Sequence, residues 1–136
     1  MNEARIACDR RVWFEAYLDA FNRNDFDAFG AYYAEDVAFY GQAAQLDGRD
    51  AVLAFYRQVK SRLDETIELL SFVGVEAHIA AEIRTTLVAR DDWPDFPTGP
   101  MHIGDTRQSV NLVFYDISGD RFTHIRSARL SPPRRG

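Results

Sequence analysis

The chain has 136 residues and a net charge of −5, with 46% hydrophobic, 13% aromatic and 27% charged residues. That length suits one domain with a real core and is too short for two ordinary ones. The acidic balance argues against a nucleic-acid partner, because phosphate binding needs clustered Lys and Arg, and the only adjacent basic residues are the pairs Arg10–Arg11 and, in the tail, Arg134–Arg135.

The lone Cys8 cannot form an internal disulfide, and no apolar run approaches the ~20 residues of a membrane span. The opening MNEARIACDR lacks a secretory apolar segment, so a cytoplasmic protein that does not enter membranes is expected. Residues 1–130 read as a single domain and 131–136, SPPRRG, as a flexible tail.

Trp13, Tyr17, Ala20 and Phe21 recur at steps of three and four, which predicts an amphipathic helix with one buried stripe. Asn24 and Asp25 break the pattern as turn and cap residues. Phe26, Phe29, Tyr32 and Tyr33 restart it as a second helix that ends at Glu35 and Asp36, and Val37 to Tyr40 is β-prone. A third helix, capped by Asp47, carries Val52, Phe55, Tyr56, Val59 and Leu63 on its apolar side and leaves Arg57, Lys60, Ser61 and Arg62 mostly to solvent.

From Glu65 the period turns to alternation. Thr66 to Val75 reads as a strand, followed by a clearer one in which Ile79, Ala81, Ile83, Thr85 and Leu87 form the face toward the helices. Residues 91–106 hold three prolines, two glycines and the bulky Trp93, Phe96 and Met101, so they predict an irregular insertion that serves as a lid over a pocket, or else as a clasp onto a partner subunit or plain packing. Strands at 107–117 and 121–130 close the chain around a Ser118-Gly119-Asp120 turn. Val110, Leu112 and Phe114 are assigned to the apolar face of the first, and neither face of the second is clean, which suggests burial of the outer side against another subunit. The order predicts an α+β domain, a curved antiparallel sheet with three helices on its concave face.

The order of elements, with NRNDFDAFGAYYAEDVAFY, LDGRDAVLAFY and SGDRFTHIRSARL, resembles the nuclear-transport-factor-2-like superfamily and its SnoaL-like and ketosteroid-isomerase-like branch. The resemblance implies a cone-shaped fold around an apolar cavity and a homodimer through the outer sheet face. It places Tyr17 where the isomerase's oxyanion-binding phenol stands, with Tyr56 and Tyr33 as supporting phenols. Both carboxyl groups of that enzyme are missing, because its proton-shuttling aspartate falls on Gly41 and its protonated aspartate on Leu112.

A base must then come from elsewhere, and His78, His102 and His124 are the only histidines. The resemblance to SnoaL-like cyclases implies a strand-borne acid or base, for which Arg126 or His124 is the candidate; the expected site is Tyr17 and His124 as catalytic groups, with Tyr33, Tyr56, Ile83, Trp93, Leu112, Phe114 and Ile125 around a small apolar, oxygen-bearing ligand. No cofactor is expected, since neither a Gly-rich phosphate loop nor a metal-ligand motif is present. A non-catalytic binding or dimerisation module is the alternative.

Overall fold

The computed structural model of the chain describes residues 3–41 and 44–130, with the side chains described from residue 9 onward. The tail at 131–136 lies outside the described residues. In chain order the elements are α1 (Glu3–Asn22), α2 (Phe26–Gly30), β1 (Tyr33–Tyr40), β2 (Gln45–Asp47), α3 (Arg49–Arg62), β3 (Leu63–Gly74), β4 (His78–Ala89), β5 (Thr106–Ser118) and β6 (Arg121–Arg129). The strands form one mixed sheet in the order β2-β1-β6-β5-β4-β3, in which β1 and β6 run parallel and the other neighbours antiparallel.

Phe14, Tyr17, Leu18 and Phe21 bury the stripe of α1, and Asn24 turns the chain with a φ of 59°. The Asp25 side chain then accepts from the Ala28 amide, 3.1 Å away, to start α2. That helix stops at Gly30, earlier than the apolar spacing predicts. The Phe122 amide donates to Tyr32 O (2.7 Å), and Tyr33 pairs with Phe122, so Tyr32 leads into a strand and Tyr33 belongs to it. At α3 the cap position is Gly48, in a left-handed conformation (φ 94°), while Asp47 stays in β2.

Pairing register fixes which side chains share a face, because directly opposed residues point the same way. Ile83 lies opposite Asn111, Ala81 opposite Val113 and Ile79 opposite Tyr115, so the inner face of β5 is Asn111, Val113 and Tyr115. This reverses the assignment made from apolar alternation. Leu112 and Phe114 point outward, 49% and 42% exposed, and do not line the concave side. Both parities of β5 are apolar, and the aromatic core decides between them: Tyr115 packs on Phe14 and Phe122 at centroid distances of 5.0 and 4.8 Å.

A bulge explains the unclean faces of β6. Asp116 opposes His124 while Ile117 opposes Phe122, so Thr123 is an extra residue and Phe122 joins Ile125 and Ser127 on the inner face. A second irregularity between Leu69 and Ser71 likewise sets Leu69 and Phe72 opposite the inward Ile83 and Ala81.

Two apolar clusters result. The larger joins α1, α2 and α3 to the inner sheet, with Phe14, Phe21, Phe29, Tyr33 and Phe122 fully buried. The smaller folds the 90–105 connection against the end of α3: Trp93, Phe96 and Met101 pack with Val59, Leu63 and Ala89. A two-way backbone bridge between Trp93 and Met101 pins this loop at 2.8 and 3.0 Å.

Candidate functional site

The concave face holds a cavity of about 140 Å³, open on one side and bordered by α1, α3, β1, β3 to β6 and the 90–105 loop. Its apolar wall includes Phe39, Phe55, Ile67, Ile83, Val113 and Ile125, with Tyr17, Tyr56 and Tyr115 supplying phenols. Phe96 and Thr98 bring the loop to the cavity of its own chain. Arg107 holds that loop by donating to Thr98 Oγ1, Gly99 O and Pro100 O at 3.4, 3.2 and 3.0 Å.

The polar centre is a pair of buried phenols. Tyr17 and Tyr33 place their hydroxyl oxygens 2.6 Å apart. Tyr17 reaches the cavity wall and Tyr33 stands behind it, so donation from Tyr33 to Tyr17 leaves the Tyr17 proton directed at the cavity. Burial pushes both hydroxyls well above the usual phenol range. The Tyr33 bond pulls Tyr17 partly back, and the neighbouring Tyr17 and Tyr56 phenols push Tyr33 further up. Burial likewise raises Tyr56 and Tyr115. These are neutral donors, suited to an oxygen that gathers negative charge.

Glu65 lies at the head of β3 and belongs to the cavity wall. The Glu65 side chain was not singled out by sequence reasoning, although it shares the parity of Ile67 and Leu69 at the start of a strand with an apolar half-face. Its Oε1 is buried and has no hydrogen-bond partner. Burial raises this carboxyl to about 7, against an opposing pull from the Lys60 ammonium.

Lys60 was expected at the surface, yet it is 6% exposed, four residues after Tyr56 on the same stripe of α3. Its Nζ donates to Phe21 O (2.9 Å), Asn24 Oδ1 (2.7 Å) and Glu65 O (3.1 Å), and burial lowers it to about 8. Asn111, also on the wall, keeps its Oδ1 buried without a partner.

Of the predicted site, Tyr17, Tyr56, Ile83 and Ile125 line the cavity, and Tyr33 backs Tyr17. Trp93 is buried beside Phe96 in the loop cluster and supports the wall from behind. Leu112, Phe114 and His124 lie across the sheet from it. His124 pairs with Asp116, its Nδ1 3.8 Å from Asp116 Oδ2 and its ring 5.1 Å from that of Tyr40, so it is no partner for Tyr17. The Thr123 bulge that turns Phe122 inward leaves His124 outward. His78 also meets Asp116 on that face (3.1 Å), and His102 is exposed in the loop. Among the described residues no group of three or more His, Cys, Asp or Glu could hold a metal ion, and no helix is long and apolar enough to cross a membrane.

A curved six-stranded sheet closed by three helices over a cavity defines the nuclear-transport-factor-2-like class of cone folds. Residues 14–124 match the SnoaL-like domain, and the chain belongs to that family. Among solved structures it is similar to a candidate polyketide cyclase from Xanthomonas campestris pv. campestris (25% identity, TM-score 0.72, 86% of this chain and 87% of that one). It is also similar to an LEH-like epoxide hydrolase from Mycobacterium tuberculosis (16%, 0.71, 90% and 84%). A third is a SnoaL-like polyketide cyclase from Agrobacterium tumefaciens (21%, 0.68, 86% and 87%). No curated protein matches the sequence.

Proposed function

We propose that the cone binds a small, largely apolar, oxygen-bearing molecule, with the Tyr17 phenol as its polar end, and acts on it by cofactor-free acid/base chemistry. The observation that carries this reading is the Tyr17–Tyr33 pair at 2.6 Å, buried at the wall of an otherwise mainly apolar cavity. A phenol whose own acceptor is already satisfied offers its proton to a ligand oxygen. Glu65 is the one carboxyl on the wall among the described residues, and a titration near neutrality suits it to take and return a proton. Isomerisation, cyclisation and dehydration all need such a donor facing such a base, and the neighbours named as cyclases and as an epoxide hydrolase support a reaction of this general kind.

Replacing Tyr17 with Phe tests the polar end. Binding of cyclohexanone should weaken roughly five- to tenfold, the worth of about 1 kcal/mol for one hydrogen bond, while methylenecyclohexane of the same shape loses little. Equal loss for both compounds in calorimetric titrations would remove the role given to Tyr17.

The same reading includes a homodimer through the outer sheet face. Val73, Leu112 and Phe114 are 70%, 49% and 42% exposed there and border one shallow groove with Ala80 and Ala128, flanked by Glu82 and Arg126. An apolar strip of this kind with one charge of each sign at its rim suits a second copy related by a two-fold axis. Sedimentation should give twice the 15.6 kDa chain mass, with Phe114→Arg giving the monomer. A wild-type monomer would count against the dimer and favour an isolated binding unit.

A further inference from the structure

The cavity is unusual in what it leaves unsatisfied. A carboxylate oxygen buried without a donor is costly, and such groups in folded proteins ordinarily have a partner. Glu65 Oε1 has none. Lys60 cannot supply it, because an ammonium has three protons and all three are taken, by Phe21 O, Asn24 Oδ1 and the Glu65 backbone oxygen. The second orphan on the wall, Asn111 Oδ1, is also an acceptor. Both unmet demands call for donors, and a hydroxyl on a ligand in the cavity that Glu65 and Asn111 line is one that can supply them.

Size and lining narrow the ligand further. The cavity holds about 140 Å³, close to the ~150 Å³ of an apolar cavity that accepts benzene. Tyr17, Phe39, Phe55, Tyr56, Phe96 and Tyr115 contribute rings to its wall, and rings pack well edge-on against another ring.

We propose that the site takes a single-ring compound bearing a hydroxyl group, a phenol or a cyclic enol, whose O–H donates to Glu65 Oε1. This rests on the reading of the cavity as a ligand site and adds the ligand's class and the residue that selects it. The selection is one of hydrogen-bond type: a ligand without the donor leaves the carboxylate orphaned, which is how sites built for a hydroxyl reject its absence. Multi-ring compounds such as steroids exceed this volume and would have to extend out through the open side of the cavity.

The test uses the full chain and four compounds, phenol, benzene, 2-naphthol and cyclohexanone, titrated calorimetrically at pH 8. Phenol should bind at least tenfold more tightly than benzene, Glu65→Met should collapse that ratio to below threefold, and 2-naphthol should bind more weakly than phenol. The phenol-to-benzene ratio on the unaltered chain stands by itself if the variant does not fold. Equal binding of phenol and benzene overturns the donor requirement, and a ratio that survives Glu65→Met overturns Glu65 as the acceptor. Tighter binding of 2-naphthol overturns the one-ring limit. In each of those cases cyclohexanone binding keeps the broader reading intact, whereas a cavity that takes up none of the four overturns both.

Discussion

Phe122→Ala should lower the unfolding free energy by about 3–5 kcal/mol, the range for emptying a buried phenylalanine site. Phe122 is fully buried and is the common neighbour of the aromatic core. Its ring centroid lies 4.8 Å from Tyr115, 4.9 Å from Tyr17, 5.1 Å from Trp13 and 6.1 Å from Tyr33. It therefore ties α1 to β1, β5 and β6 and forms the packing against which both phenols of the hydroxyl pair are set. The urea midpoint should fall steeply with an unchanged slope, and Phe122→Leu should cost much less because it leaves less void. A loss below 1 kcal/mol for the alanine variant would mean that these rings repack without it.

Lys60→Met should cost a similar 3–5 kcal/mol, because it leaves the buried Phe21 carbonyl, two part-buried acceptors and the Glu65 charge without their cation. The pH dependence separates the charge from the packing. Glu65 titrates near 7 in the folded chain against 4.5 as its ordinary value, so the native state holds the extra proton in that window. Its contribution to stability is full below 4.5 and declines as pH rises to 7.

Lys60 titrates near 8 against 10.5, so the unfolded chain holds more protons between those values and stability recovers as pH rises through them. Together the two groups produce a trough between about pH 7 and 8. In Lys60→Met the recovery above pH 8 should vanish, and the Glu65 decline should shift upward, since the ammonium that opposed its protonation is gone. Urea unfolding from pH 4.5 to 10.5 measures both limbs, and a wild-type profile with no trough attributable to this pair contradicts the buried charges.

Helices α1 and α3 and the facing of β4 were legible from their apolar spacing, whereas α2 stops at Gly30 because Tyr33 pairs into the sheet. Ile79, Ala81 and Ile83 alternate with more polar partners, and they face inward as expected. On β5 both parities are apolar, so Leu112 and Phe114 competed with Val113 and Tyr115, and only the register with β4 and the packing of Tyr115 on Phe14 decide between them. On β6 the Thr123 bulge changes parity in mid-strand, which no fixed period can describe and which removes His124 from the site.

The site was legible on its phenol side, where helix spacing marked Tyr17 and Tyr56 and the family resemblance added Tyr33, which lies in β1 and not in the helix its spacing suggested. Its acid side was not. Glu65 and Lys60 are charged residue types that are rarely buried, so their places on apolar faces looked like ordinary surface positions. Their burial follows from long-range closure of β3 and α3 over the end of α1. The signal available in the sequence was the interruption of two apolar stripes by single charges five residues apart.

The most direct measurement of the central claim is a spectrum of the chain with its six tyrosines carbon-13 labelled at the ring carbon that bears the hydroxyl, recorded while cyclohexanone is added. A ligand oxygen at the Tyr17 hydroxyl should move the Tyr17 resonance most, with a smaller response from Tyr33 behind it and none from Tyr40 on the outer face. Saturating cyclohexanone that leaves Tyr17 and Tyr33 unmoved, or moves Tyr40 alone, would contradict the cavity as the binding site.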